Sequence, residues 1–326
     1  MSIQRNSVSL LARGTAAIAG VVVLAGCQAA GSSAASADPT HPAADASTVV
    51  AAAPAGDGGT TADRADSAAE SANADAVSKL IAAAFPDPTS DAAQSAVIAA
   101  VAPDATSHGS KAGPGGLLDE FVQAHARIPG AKAVVKHIGA DGDLVAVHWQ
   151  ITGNPDDERT GEAAVDVFRF APNGQVNEHW SFDQPVPQGT PASGNTNTMF
   201  SDLYQGSAGK PAPTEQQEEA NRQLAVSAYD TLFTDHDPSV LDRSFDPAYL
   251  QHNSVAANGT AALKAFFSGG AQFPAQQAVV SISDGDLVWI LSQPVGAKAD
   301  DPYLAADVFR VDGGLIREHW DVVPSN

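Results

Sequence analysis

Two hydrophobic periods alternate along this chain, and they do so twice. From Ala74 onward, apolar residues recur at helical spacing (Val77, Leu80, Ile81, Ala84, Phe85) until Pro86 and Pro88 stop the stripe. Leu224, Ala228, Tyr229, Leu232 and Phe233 repeat that stripe after a run rich in Glu and Gln. Each stripe leads to a short helical stretch, a loop bearing a histidine (His108, His252) and a Gly-led helix that ends in aromatic residues (Phe121; Phe266 and Phe267). The period then changes to two, which predicts strands over 131–140, 143–152, 161–171 and 175–183, with counterparts starting at Gln277, Asp286, Tyr303 and Leu315. Helices followed by antiparallel strands predict α+β units whose helices pack on one face of a curved sheet. Asn173-Gly174 and Gly313-Gly314 predict the turns joining the last two strands of each set.

The repetition extends to individual residues. Asp166-Val167-Phe168-Arg169 leads into Glu178-His179-Trp180, and Asp307-Val308-Phe309-Arg310 leads into Glu318-His319-Trp320. Upstream, Asp141 to Val145 matches Asp284 to Val288, and Pro103 with His108 matches Pro247 with His252. Such order and spacing predict a duplicated domain. A length of 326 residues suits two units, each large enough to bury a core of its own.

Residues 1–26 read as a signal peptide, with basic Arg5 and Arg13, an apolar run too short for a stop-transfer span, and Leu24-Ala25-Gly26-Cys27. That tetrapeptide resembles the bacterial lipobox, which implies lipidation of Cys27, the only cysteine, and an extracytoplasmic, lipid-anchored place in the cell envelope. Removing 1–26 takes the formal charge from −21 to −23, with 15 bases left against 38 acids. Such a surface repels nucleic acid and anionic headgroups, so membrane attachment is expected from the lipid alone. Residues 27–73, poor in aromatics, are expected to be a disordered tether. The domains then run over 74–187 and 216–326, with a linker at 188–215 that contains Asn195-Thr196-Asn197-Thr198-Met199-Phe200.

Several segments together resemble the SnoaL-like, polyketide cyclase-like family of the nuclear transport factor 2-like superfamily. They are Gln251-His252-Asn253, Gly259 followed by Ala262 to Phe267, Asp284 to Val288, Asp307 to Arg310, Glu318 to Val323 and the tail-like Asn195 to Phe200. The resemblance covers about 76–200 and 216–324. It implies two cone-shaped domains packed as an intramolecular pseudo-dimer, and hence a monomer in solution. It also implies a deep pocket in each cone that takes a small apolar or carbonyl-containing ligand without a cofactor.

The chemistry follows from which residues share a strand face. Asp307 and Phe309 point together, as do His319 and Asp321. A carboxylate in an apolar pocket has its pKa raised, and a second one nearby pushes the two values apart, which suits proton abstraction next to a carbonyl. The resemblance makes Asp321 the general acid/base, with Asp307 and His319 tuning it and His252 orienting substrate. Ser181 stands at the Asp321 position of the first copy, and Leu291 at the His148 position of the second. The first copy is therefore expected to bind with His108, His148, Asp166 and His179 but to lack the base, and Trp289 and Phe309 are candidate ligand contacts in the second. The residues equally admit a structural reading. Trp would fill the core while His and Glu bond across the sheet, Asp307 would pair with Arg310, and the loop histidines would satisfy backbone carbonyls. No close His/Cys/Asp set predicts a metal site, and no P-loop, nucleophile elbow or dinucleotide fingerprint is present. A lipid-anchored binding module and a cofactor-free lyase or isomerase both remain open. An enclosed cavity with Asp307 and Asp321 facing it favours chemistry, and one filled by Trp289 or Phe309 favours binding or structure.

Overall fold

The computed structural model describes residues 61–269 and 274–324, so Cys27, the signal segment and most of the expected tether lie outside the described residues. Among the described residues no helix is long and apolar enough to cross a membrane. The N-terminal half runs α1 (Thr61–Ala84), α2 (Asp91–Ala100), β1 (Val101–Ser107), α3 (Pro114–Arg127), then β2 (Lys132–Asp141), β3 (Leu144–Thr152), β4 (Glu162–Phe170) and β5 (Val176–Pro185). The C-terminal half runs α4 (Glu215–Phe233), a 3-10 turn leading into α5 (Leu241–Ser244), β6 (Phe245–Gln251), α6 (Thr260–Ser268), then β7 (Gln276–Asp284), β8 (Leu287–Pro294), β9 (Ala305–Asp312) and β10 (Leu315–Val322). Each half forms one five-stranded sheet, in the orders β1-β5-β4-β3-β2 and β6-β10-β9-β8-β7.

Two expectations are corrected. Helix α1 starts at Thr61 rather than near Ala74. Residues 61–73 add Ala, Glu and Asp to a helix whose buried turn is already nucleated, so extension needs no apolar stripe of its own. The stretches before the two histidine loops are strands, and β1 and β6 pair in parallel with β5 and β10, which makes both sheets mixed. These strands are short and bulged, so they carry almost no period-two signal. The predicted hairpins are present. Gly313 and Gly314 hold φ of 60° and 72°, the paired left-handed values a two-residue turn requires.

Among the described residues, three clusters form the core. One fills the N-terminal cone around Phe85, Phe121 and Trp149, and a second fills the C-terminal cone around Tyr229, Tyr249 and Phe309. The third lies between the two sheets and combines Trp180, Phe182 and Phe200 with Trp289, Val308 and Trp320. Every residue of β3 is buried as a result, because helices cover one face and the other sheet covers the opposite one. Trp289 is the clearest knob in this contact, since a Cβ added at Gly139 would come within 2.4 Å of its ring. Matching residues of the halves also bond to each other reciprocally. The Ala140 N–H donates to Asp284 Oδ2 at 2.9 Å, and the Ser283 N–H donates to Asp141 Oδ2 at 3.0 Å. Beside them, Glu70 accepts from Gly142 N–H at 2.6 Å and Glu218 from Gly285 N–H at 2.7 Å.

Burial within this acidic group pushes the Glu218 carboxyl from 4.5 up to about 7, and the charges of Glu215, Asp284 and Glu70 add to the rise against the Gly285 hydrogen bond. The folded chain therefore holds this proton more tightly than the unfolded one. That contribution is full below about 4.5 and is lost as pH rises to about 7. Glu218→Gln, which keeps the acceptor for Gly285, is expected to raise the melting temperature at pH 8 by a few degrees and to leave it unchanged at pH 4.5, read by calorimetry. Gly139→Ala, which forces Trp289 out of its seat, is expected to cost about 1–3 kcal/mol in urea unfolding.

Candidate functional site

Period-two alternation divides Glu-His-Trp between the two faces of each sheet. In β10, Trp320 joins the cluster between the sheets, whereas His319 and Asp321 face the helices of their own half. Glu318 and Trp320 together hold the loop histidine. His252 Nε2 lies 2.8 Å from Glu318 Oε1, and the imidazole stacks on Trp320 with ring centroids 4.9 Å apart. The N-terminal half repeats this, with His108 2.8 Å from Glu178 and stacked at 4.9 Å on Trp180.

The loop histidines therefore sit at the back of each sheet, outside the cones. His148 is also there, fully buried, with Nδ1 3.0 Å from His137 Nδ1. Burial holds the His148 pKa well below the ordinary imidazole value, and the neighbouring His137 lowers it further. Trp289, on the same face, fills the space over Gly139. The expectations that His252 orients substrate and that His108, His148 and Trp289 line a cone pocket are thus corrected. Strand parity sends His148 and Trp289 to the sheet contact, and Glu178 and Glu318 hold the loop histidines there. Arg310 likewise pairs with Asp286 and Glu318 rather than with Asp307.

Linker residues brace the His252 loop from behind. Asn195 Nδ2 donates to the carbonyls of Gln251 at 2.7 Å and Ala256 at 2.9 Å, and the Leu203 N–H donates to Glu318 Oε1 at 2.7 Å. The Asn195 to Phe200 segment is a clamp on the C-terminal half, which accounts for its specific sequence.

Inside the C-terminal cone, Asp307 and Phe309 of β9 and His319 and Asp321 of β10 line a cavity of about 550 Å³, walled by Tyr229 and Phe233 of α4 among others. His319 Nε2 donates to Asp307 Oδ1 at 2.9 Å, and its Nδ1 lies 3.0 Å from Gln251 Oε1. The Asn253 N–H donates to that same oxygen at 3.0 Å, which fixes it as an acceptor. Nδ1 then donates to it while Nε2 faces the Asp307 carboxylate, a pairing that favours the imidazolium. Burial opposes that charge, but the Asp307 hydrogen bond and the charge of Asp321 outweigh it and raise the His319 pKa. Asn253 Nδ2 donates to both oxygens of Asp321, at 2.9 and 2.7 Å. Desolvation nevertheless raises the Asp321 pKa, against the pull of His319 and with the push of Asp307. Asp307 Oδ2 is buried with no hydrogen-bond partner among the described residues, so one strong acceptor remains free at the cavity wall.

The N-terminal cone repeats the Asp–His pair, with His179 Nε2 donating to Asp166 Oδ1 at 2.8 Å. Trp149 Nε1 occupies the other oxygen at 2.6 Å, where the C-terminal half has Ser292. Ser181 stands in the place of Asp321. The site also contains a carboxylate that comparison of the repeats passes over. Glu120 of α3 brings Oε2 to 3.7 Å from His179 Nδ1. Its counterpart in α6 is Phe266, so the repeat gave no pointer to it. The available signal was its place on the buried Leu117, Phe121, Ala124 face of an amphipathic helix. Glu120, Trp149, Asp166 and Ser181 line a cleft of about 500 Å³.

Among the described residues, Glu120–Asp166–His179 and Asp307–His319–Asp321 each bring three ligand-capable atoms within 4.8 Å, a spacing that a cation could bridge. In each cluster two of these atoms are joined by a direct His–Asp hydrogen bond.

Residues 82–179 match the model of the SnoaL-like domain. No curated protein matches the chain. Solved structures similar to it include an isomerase candidate of the SnoaL-like family from Agrobacterium tumefaciens strain C58, at 16% identity, covering 35% of this chain and 98% of that one with a TM-score of 0.30. IdmH from Streptomyces antibioticus, a polyketide cyclase candidate, is 22% identical over 34% of this chain and 91% of that one, with a TM-score of 0.28. A SnoaL-like protein from Burkholderia thailandensis E264 is 19% identical over 35% and 95%, with a TM-score of 0.27.

Because the Asn253 clasp lowers the Asp321 pKa against the dominant rise from desolvation, Asn253→Ala is expected to move it further up. The carboxyl carbon shift of Asp321, followed by NMR against pH, checks the direction.

Proposed function

We propose that the C-terminal cavity binds a small apolar, carbonyl-bearing molecule and moves a proton at the carbon next to its carbonyl, with Asp321 as the base and no cofactor. One observation carries this reading. Asp307 and Asp321 are cross-strand neighbours facing the same cavity with His319 bonded to Asp307, while Trp289 lies on the opposite face of the sheet and leaves the space open.

Tyr229, Phe233 and Phe309 offer an apolar seat for the body of the ligand. Asp321 takes the proton, and Asn253 keeps its two oxygens in place throughout. The His319 imidazolium, anchored by Asp307, offsets the charge that develops on the carbonyl oxygen. General-base assistance of this kind contributes roughly 10²–10⁴-fold to a rate. The proton can return at another carbon, as in an isomerase, or the carbanion can attack a second carbonyl, as in an aldol cyclase.

The surrounding architecture belongs to the same proposal. The C-terminal half is a second SnoaL-like cone, and the halves form a pseudo-dimer within one monomeric chain. The identical strand orders and the reciprocal Asp141 and Asp284 contacts support this. Cys27 carries lipid and tethers the pair outside the cytoplasm, a reading supported by Leu24-Ala25-Gly26-Cys27 alone.

5-Nitrobenzisoxazole tests the base directly, because loss of its ring C–H proton opens the ring to a coloured phenolate. Asp321→Asn is expected to lower kcat/KM for this probe by roughly tenfold or more with the melting temperature nearly unchanged. The wild-type rate should climb with pH through a midpoint above the usual carboxylate range. An undiminished rate in the Asn variant removes Asp321 from this role.

A further inference from the structure

The first half lacks an acid at Ser181, yet its cone is not without a base. We propose that the N-terminal cleft is a second proton-transfer site, in which Glu120 is the catalytic carboxylate and the substrate is a small carbonyl compound bearing polar groups. The type of chemistry rests on the reading of the C-terminal cavity, but the residues are separate.

The argument is an exchange of volumes. Counted from the helix N-caps Gly113 and Gly259, Glu120 and Phe266 take the same place, each three residues beyond a buried leucine. Counted from the loop histidines, whose N–H groups bond to the His179 and His319 carbonyls, Gly109 matches Asn253. The C-terminal half therefore fills its site with Asn253 and Asp321 and sets Phe266 on the helix. The N-terminal half has Gly109 and Ser181 in those places and sets Glu120 on the helix.

The space left by the smaller pair is the space Glu120 enters. A Cβ built on Gly109 would lie 3.4 Å from Ser181 Cβ and 3.7 Å from Glu120 Oε1. Both cones thus end with an aspartate, a histidine and a second carboxylate in one group, and only the element that delivers the last of these differs.

Three further features suit Glu120 to proton transfer. Its Oε1 is buried with no hydrogen-bond partner among the described residues, so an acceptor stands ready. The side chain lines the cleft and is 18% exposed through its other atoms, so a small turn of the carboxylate presents that oxygen to a ligand. Desolvation raises its pKa, against the pull of His179 and with the push of Asp166, which brings the base nearer to neutrality. The His179 pKa is also raised, because Glu120 and Asp166 outweigh its burial, and the resulting imidazolium can offset charge on a carbonyl oxygen. In the step itself, Glu120 accepts the proton from the carbon next to the carbonyl. The C–H pair becomes the enolate double bond, the carbonyl pair moves onto oxygen, and Glu120 returns the proton to close the cycle.

The walls define the substrate class. Ser110, Asp119 and Gln123 line the N-terminal cleft beside Trp149, where the other cavity has Phe233, Phe266 and Phe267. A flat ligand with hydroxyl or amide groups fits the first, and a more apolar one fits the second.

The test uses the whole chain and 5-nitrobenzisoxazole. A base in the cleft takes the ring C–H proton, the freed pair forms the nitrile, and the N–O bond breaks to release the phenolate. Asp321→Asn protein is expected to retain a rate that Glu120→Gln then lowers by roughly 10²-fold or more, with its melting temperature kept. That residual rate should rise with pH through a midpoint above the ordinary glutamate range, and Glu120→Asp should restore part of it. Equal rates in Asp321→Asn and Asp321→Asn/Glu120→Gln proteins overturn the proposal, as does a residual rate that is flat with pH. Loss on Glu120→Gln with none on Asp321→Asn instead overturns the reading of the C-terminal cavity and supports that of the cleft.

Discussion

The back-to-back contact of the two sheets is the constraint from which the rest of the structure follows. A sheet with one solvated face needs apolar residues on alternate positions only, but β3 is buried at every position and β8 at all but its two ends. Trp289 seated over Gly139 fixes the register of the halves, and the Asp141 and Asp284 carboxylates lock it by accepting reciprocal backbone N–H groups. Once the back faces are committed to this contact, the front faces are left to build the cone cavities. The parity of each strand then decides which polar residues can do chemistry.

That rule explains what the sequence made legible. The four long strands of each half and the Gly313-Gly314 turn follow from period two and turn chemistry, and they lie where those signals put them. Asp307, His319 and Asp321 share a face for the same reason. The short parallel strands β1 and β6 were hidden, because a bulged edge strand carries too few alternating positions to show a period. His108, His148, His252 and Trp289 were misplaced for a different reason. A repeated motif says that a residue matters, but only parity says which side of the sheet it serves. The structural alternative for Glu-His-Trp describes these bonds, with Trp in the core and both Glu and His paired across the sheet, but the His makes its bond on the face that lines the cone.

Glu120 illustrates a further limit of comparing repeats. Equivalent positions in two copies reveal shared function when the side chains are shared, and they conceal it when a group is supplied from another element. Ser181 against Asp321 suggested that one half had no base. In three dimensions the smaller residues at 109 and 181 make room for a carboxylate from α3, so the net composition of the two clusters is nearly equal. What differs is their surroundings. Trp149 occupies the second oxygen of Asp166, whereas Asp307 Oδ2 stays free beside Ser292. The two cones thus hold similar acids in unequal states of hydrogen bonding.

The back of the sheet also sets the precision of the front. Asn253, which grips both oxygens of Asp321, directly follows His252, and His252 is held between Glu318, Trp320 and the Thr198 carbonyl. Asn195 ties the same loop through the carbonyls of Gln251 and Ala256. A buried carboxylate keeps its geometry only where the group that grips it is itself held, and an exposed loop alone would let it relax. Here the residue orienting Asp321 is pinned by buried hydrogen bonds that originate in the linker and in the sheet contact. The fused arrangement accordingly gives the C-terminal site a support that its own half does not supply.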